Sequence, residues 1–565
     1  MLIQKRWTYL EADETLVSEL QKQLKIHPVI CKLLVLRGIT SFEDAKEFFR
    51  PSLSKLHNPF LMKDMDVAIE RIEKAIRNNE SILIYGDYDV DGTTAVSLVY
   101  SFFKEIYQQV GYYIPDRYSE GYGISFQGID FASENKYSLI IALDCGIKAL
   151  DKVEYAKAKN IDFIICDHHL PGETLPDAVA VLDPKRKDCS YPFDELSGCG
   201  IGFKLIQAYA EKNNILSEKI YDQLDLVAIS IASDLVPITG ENRILAKFGT
   251  DRINSNPRAG IKALMSELKL SRDLDITDLV FIIGPRINAA GRLAHGSEAV
   301  TLLIEDDYDK AIEKTKKVQQ NNTDRKTLDK DITEEAFALI DNDEIMIARK
   351  STVLYQEHWH KGVIGIVASR LIEKYHRPTI VLAASNGKAV GSGRSVPGFD
   401  LHEAIEACSE HLIQFGGHKY AAGLTIELDK INDFSVQFDK VVTERILDEQ
   451  LIPQIEVDAE IELTDINEKF FNIVEQMGPF GPGNMRPNFV TKDVYDTGYS
   501  KVLNGNHLKL NILKDGQDPR NGIGFGMGDY MNILQTKETF DICYQLYANI
   551  WNGQTKIEFK LKDLR

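Results

Sequence analysis

The chain has 565 residues, of which 44% are hydrophobic and 27% charged, and its formal net charge is −19. This length is too great for one hydrophobic core, so we expect several domains, and the apolar runs are too short for a membrane span of about 20 residues. The acidic balance argues against a broad, non-specific coat for nucleic acid, although a local basic groove is compatible with it.

The first half of the chain alternates strand-like and helical stretches. Residues 1–55 and 65–78 have helical character, and further helices are expected from Thr93 and Ala149. Short apolar runs that predict strands lie at 82–85, 139–143, 161–166 and 179–182. This alternation predicts a parallel sheet with crossover helices, in which the carboxyl ends of the strands carry the ligand site.

The second half begins with a stretch free of glycine and proline, at 305–341. A single helix over this span would be about 50 Å long and would act as a strut between two lobes. A smaller α/β unit follows, with strands at 352–354 and 379–383, a helix at 364–375, and glycine-rich turns at 391–398 and 416–423. Short alternating strands after residue 453 predict a C-terminal β-barrel.

We therefore predict an α/β protein with five regions along the chain. They are an N-terminal helical region (1–55), a parallel-sheet catalytic domain (56–255), a connector with the long helix (256–345), a second α/β lobe (346–450) and a barrel (451–565).

Acidic and imidazole side chains follow three of the predicted strands. The segment from Gly86 to Gly92, after the first of these strands, contains three alternating carboxylates. The strand at 139–143 is followed by one Asp, and the strand at 161–166 is followed by an Asp-His-His triplet. The candidates are Asp87, Asp89, Asp91, Asp144, Asp167, His168 and His169, together with Asp234, for which the end of a helix is the structural alternative. An EF-hand calcium loop needs Glu at position 12, where this chain has Leu98. Carboxylates with imidazoles suit manganese or magnesium, and two such ions can hydrolyse a phosphate ester.

Three glycine- or arginine-containing segments could hold phosphate groups. Arg117 lies in a polar segment, Ser392 and Arg394 lie in one glycine-rich segment, and His418 lies in another. Backbone N–H groups of glycine segments can approach an anion closely. Ordinary loops and tight turns are the structural alternatives for these segments. Arg286 and Asn288, in the segment 284–292, could equally belong to a helix-capping turn.

In combination and order, these motifs resemble the DHH phosphoesterase superfamily and, within it, the RecJ family of bacterial single-strand-specific exonucleases. The resemblance covers essentially the whole chain. It implies two manganese or magnesium ions and a DHH domain, a DHH-associated domain and an OB-type barrel. It implies metal-ligand positions at Asp87, Asp89, Asp144, His168, His169 and Asp234. Asp167 would orient the imidazoles, and Asp91 would cap the next helix or brace the turn. His169 could contact the scissile phosphate instead of binding a metal ion.

The resemblance also implies a substrate and an activity. Arg117, Ser392 and Arg394 would hold the 5′ phosphate of single-stranded DNA, and the segment of His418 would face the metals across a cleft. Arg286 and Asn288, with Arg292 as a further candidate, would bind the strand. The expected activity is 5′→3′ hydrolysis to 5′-mononucleotides in DNA repair and recombination. The alternatives are a phosphodiesterase of short oligonucleotides or cyclic dinucleotides and a non-catalytic strand-binding protein.

Cysteine usage and the family resemblance predict the location and the partners of the protein. Seven dispersed cysteines without Cys-x-x-Cys spacing, and an N-terminus unlike a signal peptide, indicate a cytoplasmic protein without structural zinc. The resemblance implies a single-strand-binding protein and a RecQ-type helicase as partners. We expect a monomer that does not bind membranes.

Overall fold

The computed structural model describes residues 5–514, 517–536, 538–551 and 554–565. Within these ranges, none of the helices combines the length and the apolar character that crossing a membrane requires. The described chain forms two α/β lobes, a long helix that joins them, and a β-barrel against which the N-terminal helices pack.

The N-terminal region contains one strand and three helices: β1 (Arg6–Tyr9), α1 (Glu14–Leu24), α2 (Pro28–Val35) and α3 (Phe42–Phe49). The prediction of a helical region at 1–55 missed β1, which pairs in parallel with residues Gln454–Val457. A four-residue run gives little periodicity, and this strand is stabilised by a distant contact: the buried Trp7 indole N–H donates to Asp563 Oδ2 at 2.7 Å.

The first lobe is built on a five-stranded, all-parallel sheet, as the sequence predicted. Its strand order is β3-β2-β4-β5-β6, and the strands are rich in buried Ile, Leu and Val because helices cover both faces. The elements are α4 (Met65–Arg77), β2 (Ser81–Gly86), α5 (Val90–Ile106), β3 (Val110–Tyr113), α6 (Phe126–Glu134), β4 (Tyr137–Leu143), α7 (Leu150–Ala158), β5 (Asp162–Cys166), β6 (Ala180–Leu182), α8 (Gly198–Lys212), α9 (Ser217–Tyr221), α10 (Leu224–Ser233) and α11 (Gly240–Ser255). Helix α5 begins three residues before the predicted start because Asp89 caps it.

A helical connector follows and contains the predicted strut. Its elements are α12 (Ala259–Glu267), α13 (Ile276–Asp278), a π-helical turn (Leu279–Ile283), α14 (Gly284–Leu293), α15 (Ser297–Leu303), α16 (Tyr308–Asp341) and α17 (Glu344–Ala348). Helix α16 has 34 residues, or about 50 Å, and its N-terminal part packs on α12 and α14. Arg286 lies inside α14, so its segment is part of a helix and not the capping turn that the sequence offered as an alternative.

The second lobe has a mixed five-stranded sheet in the order β10-β11-β9-β8-β7. Its elements are β7 (Thr352–Gln356), α18 (Ile364–Tyr375), β8 (Thr379–Ser385), β9 (Lys388–Arg394), α19 (Leu401–Glu406), β10 (Leu412–His418), β11 (Ala421–Ile426) and α20 (Ile431–Arg445). The prediction of turns in the two glycine-rich segments was largely wrong, because most of their glycines lie in β9, β10 and β11. A Cβ at Gly391 in β9 would lie 2.7 Å from Leu382 Cδ2, so a larger residue there would force this buried leucine to move.

The C-terminal region is a β-barrel, as predicted. Its elements are β12 (Gln454–Val457), β13 (Ala459–Glu460), α21 (Glu468–Gln476), β14 (Phe489–Asp496), β15 (Lys501–Leu503), β16 (His507–Leu513), β17 (Arg520–Gly524), α22 (Met531–Leu534), β18 (Phe540–Trp551) and β19 (Gln554–Leu564). The sheet runs β14-β18-β19-β17-β16, and a further pairing of β14 with β16 closes it. Phe489, Tyr544 and Phe559 fill its interior.

Candidate active site

The predicted acidic groups meet at one edge of the parallel sheet. Asp87 and Asp89 follow β2, Asp144 follows β4, and the Asp167-His168-His169 triplet follows β5. Strands β2, β4 and β5 are direct neighbours, so their carboxyl ends lie side by side. Asp234 joins them from the C-terminal end of α10.

His168 lies at the centre of this cluster. Its Nε2 is 3.2 Å from Asp144 Oδ1, 3.5 Å from Asp234 Oδ2 and 3.7 Å from Asp91 Oδ2. Both ring nitrogens are buried without a hydrogen-bond partner in the described chain. Burial lowers the pKa of His168, which favours the neutral imidazole that metals bind. A buried neutral nitrogen surrounded by carboxylate oxygens fits a divalent cation.

The carboxylates are crowded enough to need such a cation. Burial, and then the charge of a neighbouring carboxylate, raises the pKa of Asp87, Asp144 and Asp234 well above the ordinary value. Asp87 Oδ1 accepts the Gly123 N–H at 3.1 Å, whereas its buried Oδ2 has no partner among the described residues. Ligand atoms of Asp144, His168 and His169 lie within 4.8 Å of one another, as do those of Asp91, His168 and Asp234. This oxygen-rich donor set with imidazole suits manganese or magnesium.

Two glycines allow the cluster to form. At Gly92, in the first turn of α5, a Cβ would lie 2.5 Å from the backbone oxygen of Asp87, so only glycine lets the helix approach the end of β2 this closely. At Gly198, at the start of α8, a Cβ would lie 2.6 Å from the Cβ of Asp144. Asp144 itself has φ = 58°, in the left-handed region.

Asp167 and Asp91 are held by hydrogen-bond donors. Asp167 Oδ1 accepts the His168 N–H at 2.8 Å and lies 2.8 Å from His169 Nδ1, which fixes the imidazole of His169. Burial opposes the charged form of His169, but its hydrogen bond with Asp167 raises the pKa to about 8. Asp91 accepts the N–H groups of Gly198 at 2.7 Å and Cys199 at 2.8 Å, so it braces the start of α8.

The helix cap in this loop is a different residue from the one considered in the sequence. Asp89 Oδ1 accepts the Gly92 N–H at 3.1 Å and caps α5. Asp91 lies in the first turn of that helix, with its carboxylate directed to α8. The hydrogen bonds of Asp91 therefore hold the start of α8 and not its own turn.

Tyr122 is a site residue that the sequence did not single out. Its hydroxyl lies 3.2 Å from His169 Nε2 and 3.3 Å from the backbone oxygen of Asp144. The same ring lines a cavity of about 480 Å³ together with His169 and Gly417 of the second lobe. The only signal was its position five residues after Arg117, and that spacing does not predict the direction of a loop side chain.

A second cavity of about 480 Å³ lies between the two lobes and is lined with cations. Its polar lining includes Tyr88, Arg117, Arg292, Lys361, Ser392 and Arg394. Arg394 Nη1 donates to Ser392 Oγ at 3.1 Å, and Arg117 lies over the Tyr88 ring at 4.9 Å. Burial and then the charge of Arg117 lower the pKa of Arg292 to about 10. Such a cluster of cations is suited to an anion with several oxygens.

Three predicted strand-binding residues lie outside this cationic cavity. Arg286 is buried and donates to Gln319 Oε1 at 2.8 Å and to the Ile282 backbone oxygen. Asn288 has a buried Oδ1 with no hydrogen-bond partner in the described chain. His418 is exposed at the end of β10, next to Gly417, which faces His169 across the other cavity.

Three family models match successive parts of the chain. The DHH family N-terminal domain matches residues 81–231, the DHHA1 domain matches 349–444, and the RecJ OB domain matches 457–563. Curated relatives include the single-stranded-DNA-specific exonuclease RecJ of Bacillus subtilis (strain 168), which is 35% identical over 99% of this chain and 70% of the relative. The protein of that name from Escherichia coli (strain K12) is 30% identical over 98% of each chain.

Solved structures give the same result. RecJ from Thermus thermophilus in complex with Mn²⁺ aligns with a TM-score of 0.85 and 26% identity, covering 99% of this chain and 79% of that chain. Its complex with Mg²⁺ aligns with a TM-score of 0.79 and 25% identity, covering 99% and 78%. On the identity and coverage of these relatives, the chain belongs to the RecJ family of DHH proteins.

Proposed function

We infer that this chain is a metal-dependent exonuclease that hydrolyses single-stranded DNA. One observation carries the proposal: the cationic cavity adjoins the carboxylate cluster through consecutive residues. Tyr88 lines the cavity, and its neighbours Asp87 and Asp89 belong to the cluster. A phosphate held in the cavity would therefore lie close to a second phosphate held at the cluster, which is the arrangement that an exonuclease needs.

We propose that two manganese or magnesium ions bind at the cluster. The ions would be held by Asp87, Asp89, Asp144, His168, His169 and Asp234. The alternative role for His169 is a contact with the scissile phosphate. When bound, such ions supply a nucleophile at neutral pH and neutralise charge on the phosphoryl oxygens. Asp167 keeps the His169 ring oriented, and Asp91 fixes the helix that packs against Asp144.

The cationic cavity accounts for polarity in this proposal. Arg117, Arg394 and Ser392 would bind the 5′-terminal phosphate, with Arg292 and Lys361 adding positive charge. The next phosphate would lie at the cluster, where the bond between phosphorus and the 3′ oxygen of the terminal nucleotide breaks. A 5′-mononucleotide is released, and the shortened strand carries a new 5′ phosphate for the next round.

Cellular context is proposed on more general grounds. All seven cysteines are free, in keeping with a reducing cytoplasm. We propose a monomer that acts in DNA repair and recombination, with a single-strand-binding protein and a RecQ-type helicase as partners. The names of the curated relatives support the exonuclease activity; the partners are a prediction from family membership.

The test is the hydrolysis of one DNA sequence in three forms with Mn²⁺ present. A long 5′-phosphorylated single strand should be degraded rapidly, its blunt duplex should resist, and the 5′-phosphorylated dinucleotide should be the poorer substrate. Arg394→Met should reduce kcat/KM for the phosphorylated strand about 10- to 100-fold, since a charge-assisted contact is lost. The matched control is Arg445→Met, on α20.

Two results would contradict the proposal. Preference for the dinucleotide over the long strand would favour a phosphodiesterase of short oligonucleotides. Binding of the strand without any hydrolysis, with Mn²⁺ and with Mg²⁺, would favour a non-catalytic strand-binding protein.

A further inference from the structure

A glycine- and proline-rich loop of the barrel packs on the first lobe. This barrel loop, residues 478–484 between α21 and β14, has the sequence Gly-Pro-Phe-Gly-Pro-Gly-Asn. It contacts the segment at 235–239, which connects α10 to α11 and which we call the Asp234 loop because it directly follows Asp234. The Ile238 N–H donates to the Pro482 carbonyl at 2.6 Å, so the two loops are joined through their backbones.

Two glycines of the barrel loop lie against the side chains of the Asp234 loop. A Cβ at Gly481 would lie 2.6 Å from Cγ1 of Ile238, which is fully buried. A Cβ at Gly483 would lie 3.0 Å from Thr239 Cγ2 and 3.4 Å from Pro237 Cβ. Gly483 also has a left-handed backbone, with φ = 73°, whereas Gly481 does not, so a larger residue at Gly481 would act only by pushing on Ile238.

The barrel loop is itself held in place by hydrogen bonds. The buried Asn484 donates from Nδ2 to the backbone oxygens of Met477 and Pro479, at 2.9 Å each. Its Oδ1 accepts from Arg37 Nε at 2.8 Å. From the first lobe, Arg243 of α11 donates to the Met477 oxygen at 2.9 Å. These bonds to buried polar groups make the barrel loop a firm support for the segment that packs on it.

The Asp234 loop begins with a strained residue. Leu235 has φ = 58°, in the left-handed region that a leucine rarely adopts. It directly follows Asp234, whose Oδ2 lies 3.5 Å from His168 Nε2 in the carboxylate cluster. A strained backbone persists only where the surrounding structure fixes it, and the barrel loop holds this segment three residues later, at Ile238.

We propose that the barrel loop is a positioning element of the metal site: it fixes the Asp234 loop and, through it, the carboxylate of Asp234. The proposal rests on the proposed function, in which Asp234 is a metal ligand. The other proposed ligands follow strands of the parallel sheet, whereas Asp234 follows the last residue of helix α10. Its position therefore depends on the chain that comes after it. The barrel thus contributes to metal binding without supplying a ligand.

The experiment measures the binding of Mn²⁺ to the full chain by titration calorimetry. Gly481→Ala adds one methyl group against Ile238 and should raise the Kd for Mn²⁺ about tenfold, the size of effect that groups supporting a ligand have. The Mn²⁺ concentration for half-maximal hydrolysis of the 5′-phosphorylated dinucleotide should rise in parallel. Saturating Mn²⁺ should restore the rate, because no ligand is lost. Met485→Ala, at a 62% exposed side chain beside the barrel loop, is the matched control.

A second background separates positioning from a general loss of stability. Ile238→Ala removes the atom that the new methyl group would meet, so adding Gly481→Ala to it should change the Kd for Mn²⁺ by less than about twofold. Circular dichroism without metal checks that each variant is folded.

Two results would overturn the proposal while wild-type binding of Mn²⁺ still stands. One is an unchanged Kd in folded Gly481→Ala, and the other is an equal loss of affinity from Gly481→Ala in both backgrounds. Failure of the wild type to bind Mn²⁺ or to hydrolyse the dinucleotide and the long strand would instead overturn the proposed function.

Discussion

Asp91 lies in the same loop as Asp87 and Asp89, but its carboxylate has different partners. Two backbone N–H groups of α8 and the Ser230 hydroxyl donate to it, so hydrogen-bond donors occupy both its oxygens. Asp87, in contrast, keeps a buried oxygen without a partner in the described chain. Asp91 is therefore suited to hold the start of a helix, whereas Asp87 is suited to bind a cation.

The removal of one cluster carboxylate should separate metal binding from folding. Asp144→Asn is expected to reduce strand hydrolysis more than about 100-fold, because a proposed metal ligand is lost. Without metal, it should unfold at the same temperature as the wild type or higher, since a buried, repelled carboxyl group becomes neutral. Thermal unfolding and strand hydrolysis measure the two effects.

The same variant should respond weakly to manganese. In the wild type, Mn²⁺ at 100 times its Kd should add about 2.7 kcal/mol of stability, and Asp144→Asn should lose at least half of this gain. Glu173→Gln, at an exposed loop position, should behave like the wild type in both assays. An unchanged Mn²⁺ response in Asp144→Asn would argue against its role as a ligand.

The sequence predicted some site residues much better than others. Asp87 and Asp144 directly follow apolar strands, and His168 lies one residue further on after β5; adjacent parallel strands must bring these ends together. Tyr122 and Lys361 lie in loops, whose side-chain directions depend on tertiary contacts. Those contacts, with His169 and with the Tyr118 ring, have no signature in local spacing.

At the scale of elements, α16 fixes the distance between the two lobes. The absence of glycine and proline predicted this helix, because nothing in its sequence interrupts helical hydrogen bonds. The glycine-rich strands β9 and β10 could not be predicted in this way. Glycine ordinarily disfavours strands, and in β9 the packing of Leu382 and Leu424 leaves little room for a Cβ at Gly391.

The contact of α16 with the second lobe depends on Asp329, which is buried on the strut and forms two hydrogen bonds to Arg370 of α18. Asp329→Ala should lower the free energy of unfolding by about 1–3 kcal/mol, since it removes two charge-assisted hydrogen bonds that the buried carboxylate accepts from Arg370. The substitution should also loosen the contact between α16 and the second lobe, which lines the cationic cavity, and therefore raise KM for the phosphorylated strand. Urea denaturation and steady-state kinetics would measure these effects.

The matched control for Asp329 lies on the same helix. Glu334 pairs with Lys330 in an exposed i,i+4 arrangement, and Glu334→Ala should cost no more than about 0.5 kcal/mol. Equal effects of the two substitutions would mean that the Asp329 pair does not couple the strut to the lobe.

At the scale of the whole molecule, the N-terminal strand joins the C-terminal barrel. Strand β1 pairs with β12, Trp7 is buried, and the Asp563 carboxylate accepts hydrogen bonds from both Trp7 and Tyr530. The sequence could not predict this contact, because it links residues more than 500 positions apart.

Trp7→Ala should therefore destabilise the barrel selectively. Loss of the buried indole should cost about 3–5 kcal/mol, and limited proteolysis should cut the barrel first while the 5′-phosphorylated dinucleotide is still hydrolysed. Tyr9→Ala, at a partly exposed position on the same strand, is the control. Simultaneous loss of the barrel and of dinucleotide hydrolysis would show that the catalytic lobes need the barrel to fold.

In the proposed mode of binding, a terminal phosphate in the cationic cavity places the next phosphodiester at the carboxylate cluster. The most direct measurement follows a single strand labelled at its 5′ phosphate or at its 3′ end, with Mn²⁺ present. If the strand binds in this way, the 5′ label appears at once as a mononucleotide, while the 3′ label remains on progressively shorter strands. Early release of the 3′ label, or a first product longer than a mononucleotide, would contradict it.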